Sequence, residues 1–245
     1  MIVRVAVLIV VCSAAALAWD TAPHRAITKA ALDAVQPSVS QRLAPYSKEI
    51  IETYSMLPDK CRNWTELPDP AALKPFCVRP DGNPVHSASF DHDEDLESLI
   101  YLYERILTSA IQKKDRDLAM YAGVLAHFIE DSLSPPHSVT DQELEELAPD
   151  VNWLHQKLER TVPAFTIAKR PAGKAGGSDE TMLETLDGIV TRLHASAARN
   201  REALPEMVKA LKAGDEQALD APHSRAAKDA AELLADALNA MLREK

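Results

Sequence analysis

Scarcity of glycine constrains this chain more than any other feature: there are 7 glycines in 245 residues, well under the usual ~7%. Glycine enters left-handed turns without strain, so few such turns are available. Apolar residues recur instead at helical spacing, and no alternating strand pattern, internal repeat or glycine-rich phosphate loop stands out. The expectation is an all-α, single-domain helical bundle whose helices are joined by proline-rich connections. Hydrophobic residues make up 46% and charged residues 26%. That balance excludes collagen-like and disordered chains, and the length suffices for one sizeable core.

The periodicity predicts helices over Ala22–Val35, Val39–Met56, Leu96–Gln112 and Leu118–Leu133, the last stopped by Pro135 and Pro136. A weaker helix covers Val151–Thr161, and three more lie near Thr181–Asn200, Pro205–Ala213 and Ser224–Leu242. From Leu57 to Asp93 the pattern dissolves around Pro58, Pro68, Pro70, Pro75, Pro80 and Pro84, which reads as a long loop. Loops of that length are usually functional or tied down. Arg170–Ser178, with Gly173, Gly176 and Gly177, reads as a flexible connection.

At the N-terminus, Arg4, the apolar Val5–Val11 and Ala16-Leu17-Ala18 together have the form of a secretory signal peptide over residues 1–18. Cleavage would start the mature domain, residues 19–245, at Trp19. The segment is shorter than the ~20 apolar residues of a membrane span, and no other stretch is apolar enough for one. The expected location is secreted or periplasmic. Cys12 leaves with the signal, so Cys61 and Cys77 remain and read as one disulfide in an oxidising compartment, the alternative being two free thiols.

Chemistry concentrates on a subset of the 8 histidines. His127 and Asp131 stand four residues apart, on one helix face, and so do His155 and Glu159. His137 follows Pro135 and Pro136, where the chain turns and can return an imidazole to the same region. An i, i+4 pair alone is most often a surface pair. Leu125, Ala126, Phe128 and Ile129 make the first helix look buried, however, and buried ionisable groups need partners or metal. Imidazole with carboxylate suits zinc, with manganese or iron as alternatives. His194 and His223 lack such spacing and read as surface or partly packed, and the Glu143, Glu145 and Glu146 run reads as a solvated rim.

His127-x3-Asp131-x5-His137 followed by His155-x3-Glu159 resembles the core motif of the zinc-dependent phospholipase C and single-strand-specific nuclease superfamily. Trp19-x4-His24 resembles the start of the nuclease branch, whose N-terminal tryptophan ligates zinc through its α-amino nitrogen and carbonyl oxygen. The resemblance covers essentially the whole mature chain and implies a secreted helical bundle holding three Zn2+ ions. It implies that His127, Asp131, Asp59 and His86 hold the first, His137, His155 and Glu159 the second, and Trp19, His24 and a bridging Asp131 the third. His86 departs from the family pattern, since His86-Ser87-Ala88-Ser89-Phe90-Asp91 is stretched, and His92 is its rival. For His92 the competing reading is an acidic, solvated helix start among Asp91, Asp93, Glu94 and Asp95.

Clustered zinc ions suit phosphodiester hydrolysis, because they clamp phosphoryl oxygens and lower the pKa of water. Asp59 is, by analogy, the residue to orient or deprotonate that water. Glu159 resembles the phospholipase branch. A net charge of -10 and 5% aromatics give little of the basic track and stacking platform that single strands need. The expected activity is therefore that of a phospholipase C-like phosphodiesterase, with phospholipid favoured over single-stranded nucleic acid and no protein partner implied. The alternatives are a single-strand nuclease or 3'-nucleotidase, and a secreted zinc-binding protein without activity.

Overall fold

The computed structural model describes residues 21–86, 92–148, 150–159, 164–171 and 186–242, with the backbone alone at 92–95. The longer helices are α1 (Thr21–Ala34), α2 (Pro37–Leu43), α3 (Pro70–Cys77), α4 (His92–Ile111), α5 (Asp115–Ser132), α6 (Asp141–Leu147), α7 (Val151–Glu159), α8 (Leu186–Ala213) and α9 (Glu216–Leu242). The fold is all-α: among the described residues extended pairing is confined to an isolated bridge between Val78 and Pro84. No helix among them is long and apolar enough to cross a membrane.

Helix α5 is the axis of the bundle, because every residue from Leu118 to Ser132 is buried. A helix apolar on all sides is stable only when surrounded, and α1, α4 and α9 pack against this one. Helix α8 runs alongside α9. The main core joins Ile27, Leu43, Leu102, Leu125, Phe128 and Leu234 from five helices. A second, smaller core contains Leu144, Leu154, Leu158, Leu204 and Met207. Helix α7 turns Leu154 and Leu158 to that second core, and the ~100° step per residue puts His155 and Glu159 on the adjoining face.

Several elements differ from expectation. The predicted Val39–Met56 helix breaks after Leu43 into a 3-10 turn (Ala44–Tyr46), a single α turn (Ser47–Glu49) and a π turn (Ile50–Tyr54). Pro45, which has no N–H to donate, lies at the break. The predicted long loop is instead largely helical, with Leu57–Lys60, a 3-10 segment Cys61–Glu66 and then α3. Pro58 and Pro70 occupy first turns, where no backbone N–H is required, and the Asp69 carboxylate caps α3 by accepting from the Ala72 N–H at 3.2 Å. The Cys61–Cys77 disulfide ties the segment down.

Two separate helices expected around Thr181–Asn200 and Pro205–Ala213 are one, since α8 passes through Pro205. An interior proline costs ~3 kcal/mol. Burial of Leu204, Met207 and Val208, at about 1.5–3 kcal/mol each, outweighs it. Helix α9 likewise begins eight residues earlier than expected and passes through Pro222. The acidic run forms α6, started by a capping box in which Thr140 and Glu143 bond reciprocally, while Glu145 and Glu146 stay exposed.

The expected signal segment 1–18 and Trp19 lie outside the described residues. So do Ser87–Asp91, most of the Arg170–Ser178 connection, and the outer ends of the helices expected over Val151–Thr161 and Thr181–Asn200.

Candidate metal centre

Helix α5 supplies His127 and Asp131 one turn apart, both buried. Helix α1 crosses it and brings in His24, which is 0% exposed. The Asp131 carboxylate divides its two oxygens among three imidazoles: Oδ1 lies 3.3 Å from His24 Nε2, while Oδ2 lies 2.8 Å from His86 Nε2 and 3.1 Å from His127 Nε2. The short helix Leu57–Lys60 adds Asp59, whose Oδ1 is 3.6 Å from His127 Nε2. The rings are close-packed, with His24 stacked on His127 at 4.3 Å and His86 edge-on to His127 at 5.0 Å between centroids.

A second group adjoins the first. His137, on the 3-10 turn Pro135–Ser138, places Nε2 3.3 Å from Glu159 Oε1, and His155 places Nδ1 2.7 Å from the same oxygen. Ser134 Oγ–H donates to that oxygen at 3.4 Å. The two groups share a field, because the charge of Asp131 acts on His137 and that of His137 on His86. Asp59, His86 and His137 are partly exposed, at 19%, 15% and 11% of their side chains. They are the wetter edge of the cluster, over a floor of His24, His127 and Asp131.

The donor geometry suits a cation. His127 Nδ1 lies 2.7 Å from the Ser55 carbonyl oxygen, which can only accept, so Nδ1 carries the proton and Nε2 presents a lone pair. That lone pair faces Asp131 and Asp59, and nothing among the described residues donates to it. His24 Nε2, His86 Nδ1, His127 Nε2, Asp131 Oδ1 and His137 Nε2 are all buried without a hydrogen-bond partner among the described residues. Lone pairs aimed at carboxylates are stable together only around positive charge, a proton or a metal. Ligand atoms of His24, His127 and Asp131 lie within 4.8 Å of one another, as do those of His137, His155 and Glu159, so each set can hold a metal ion.

Burial pushes the Asp131 carboxyl up, but the imidazoles of His127, His24 and His86 around it outweigh burial and hold it well below the usual range. It stays an anion. Burial lowers the His86 imidazole, and its bond to Asp131 does not restore it, so His86 is a neutral donor.

The π turn explains how Ser55 reaches His127. Its N–H donates to Ile50 O at 2.9 Å, five residues back, and such bulges often mark functional sites. Gly123 permits the approach: a Cβ there would lie 2.4 Å from Tyr54 Cβ and 2.9 Å from Ser55 N.

Of the residues singled out from sequence, the fold brings together Asp59, His24, His86, His127, Asp131, His137, His155 and Glu159. His92 begins α4, and its side chain lies outside the described residues. Sequence reasoning missed Ser55, whose contribution is a backbone oxygen and leaves no side-chain signal. It also missed Glu130, whose signal was a carboxyl within an otherwise apolar run. His194 is exposed, as read. His223 is buried instead and reaches the backbone of Leu158, the neighbour of Glu159; its place on α9 against α7 was invisible to spacing within one helix. Comparison with family models, with curated proteins and with solved structures finds no match, so the family resemblance rests on motif spacing alone.

Proposed function

We propose that the chain is a secreted zinc-dependent phosphodiester hydrolase of the phospholipase C type. The observation that carries this reading is the convergence of five imidazoles and three carboxylates, from six separate segments, on one locus around Asp131 and Glu159. In this reading His127, Asp131, Asp59 and His86 hold one zinc and His137, His155 and Glu159 a second. His24 and Asp131, with Trp19, would hold a third. Zinc supplies Lewis acidity there, offsetting charge on phosphoryl oxygens and making water acidic enough to ionise near neutral pH.

The chain's own groups do the rest. Asp131, anionic and turned to imidazoles on both oxygens, would serve two of the proposed sites. Ser55 O fixes the His127 tautomer. Asp59, at the wetter edge, is placed to orient an attacking water and accept its proton. An anionic substrate meets a chain of net charge -10, so local cations are needed to draw it in.

The test is hydrolysis of a phospholipid and of denatured DNA by the secreted protein, each with and without a chelator, together with metal analysis. Expected are about three zincs per chain and chelator-sensitive release of diacylglycerol or a phosphorylated head group. Degradation of denatured DNA alone would move the reading to the single-strand nuclease or 3'-nucleotidase. Zinc without either activity would leave a non-catalytic binding protein, and activity that survives chelation would sink the metal mechanism.

A further inference from the structure

Among the ionisable side chains near the cluster, Glu130 has no place in the proposed ligand sets. It is 0% exposed, and a carboxylate stripped of water needs a specific reason to be there. Its partners supply one. His24 Nδ1 lies 2.5 Å from Glu130 Oε2, and the Thr28 hydroxyl donates to Glu130 Oε1 at 2.7 Å. Thr28 stands one turn after His24 on α1, so both reach the same carboxylate.

The neighbouring carboxylate completes the arrangement. Glu130 and Asp131 are consecutive on α5, and the ~100° between successive residues splays them around one imidazole. Glu130 takes the Nδ1 edge, while Asp131 Oδ1 lies 3.3 Å from the Nε2 edge. With the Nδ1 proton donated to Glu130, Nε2 is left with its lone pair directed into the cluster. It has no hydrogen-bond partner among the described residues.

We propose that Glu130 is a positioning residue that fixes His24 as an Nε2 metal donor, with Thr28 holding the Glu130 carboxylate in register. The assignment rests on the metal-cluster reading above. Glu130 touches neither metal nor substrate and acts only through His24. A carboxylate behind a ligating histidine orients the ring and raises its basicity, and loss of such a partner typically weakens metal binding about 10–100-fold.

Glu130→Gln keeps the shape and removes the charge, and Thr28→Val removes the second anchor while leaving the carboxylate. Zinc alone is the probe, titrated into the chelator-stripped secreted protein against a chromophoric competitor. Long-range 1H–15N spectra read the His24 tautomer, and melting temperature is followed with and without zinc. The expected result is one zinc-binding step weakened about 10–100-fold in Glu130→Gln, less in Thr28→Val, with the other steps parental. The zinc-loaded parent should show the Nδ1–H tautomer at His24. Parental affinities in both variants, or a lower melting point of the stripped protein with unchanged zinc binding, would make Glu130 a structural ion-pair partner and overturn the proposal. A zinc-loaded parent His24 carrying its proton on Nε2 would do the same. A parent chain that binds no zinc overturns the cluster reading first and this assignment with it, whereas zinc binding with unaltered variants removes Glu130 alone.

Discussion

At the residue scale the cluster is a contest between protons and metal for the same lone pairs. Burial lowers the His24 imidazole, but the Asp131 and Glu130 carboxylates on its two edges outweigh it and raise it to about 10. Burial also lowers His137, and Glu159 again reverses the sign and raises it. His24 therefore holds its proton at neutral pH unless a cation displaces it, His137 is shifted in the same direction, and zinc binds only the neutral ring. Zinc affinity should then rise with pH between about pH 6 and 8, by about tenfold per unit for each proton displaced. The stability of the stripped protein should run the other way. The His24 contribution is complete below its ordinary value of 6.5 and is lost as pH rises toward about 10. Calorimetric zinc titrations in buffers of different ionisation enthalpy measure the released protons directly. Flat affinity with no proton release would contradict the arrangement. The i, i+4 pairs made His127, Asp131, His155 and Glu159 legible in sequence. Spacing could not place Asp131 against three imidazoles, because His24 and His86 arrive from distant parts of the chain; only the family resemblance grouped them.

At the element scale the geometry depends on one close approach. The π turn Ile50–Tyr54 lies against α5 at Gly123, and it sets both the Ser55 carbonyl under His127 and, four residues on, Asp59 beside it. Gly123→Ala tests this through two opposed effects. Alanine favours an exposed helix interior over glycine by about 0.5–1 kcal/mol. The new Cβ would nevertheless meet backbone at 2.7 and 2.9 Å, and overpacking of that kind costs about 1–3 kcal/mol. The clash wins, so the variant should melt lower and bind zinc more weakly; a higher melting point with parental zinc affinity would show that the approach is not tight. The sequence disclosed the helices with sustained periodicity, α1, α4 and α5, to within a few residues. It did not disclose the broken stretch from Ala44 to Cys77, because Pro45, Pro58 and Pro70 interrupt helical periodicity even where they sit in first turns that tolerate them. Nor did it disclose that α8 continues through Pro205, a result of burial against the second core.

At the scale of the whole molecule, the proposed ligands stitch the chain together more widely than the disulfide does. Cys61–Cys77 closes a span of 16 residues, whereas His24, Asp59, His86, His127, His137 and Glu159 join α1 to α7 across the axial helix. Without a counter-charge, five imidazoles and three carboxylates share a space from which water is largely excluded, and each missing cation exposes like charges to one another. A ligand present at about a thousand times its dissociation constant stabilises the folded state by about 4 kcal/mol, and in a protein of this size each kcal/mol moves the melting point by about 2–4 °C. Chelation should lower the melting temperature by about 8–16 °C for one such site and by more if several empty together. Zinc, but not magnesium, should restore it, because imidazole-rich sites discriminate against hard oxygen-seeking cations. Reduction of the disulfide at saturating zinc should cost about 3 kcal/mol by the chain-entropy estimate, and the two losses should be separable since no cysteine is a proposed ligand. Differential scanning calorimetry on stripped, zinc-loaded and magnesium-loaded protein makes the comparison. Equal melting points in all three would mean that protons alone balance the cluster, and the convergence on Asp131 and Glu159 would then be an ionic core rather than a metal centre.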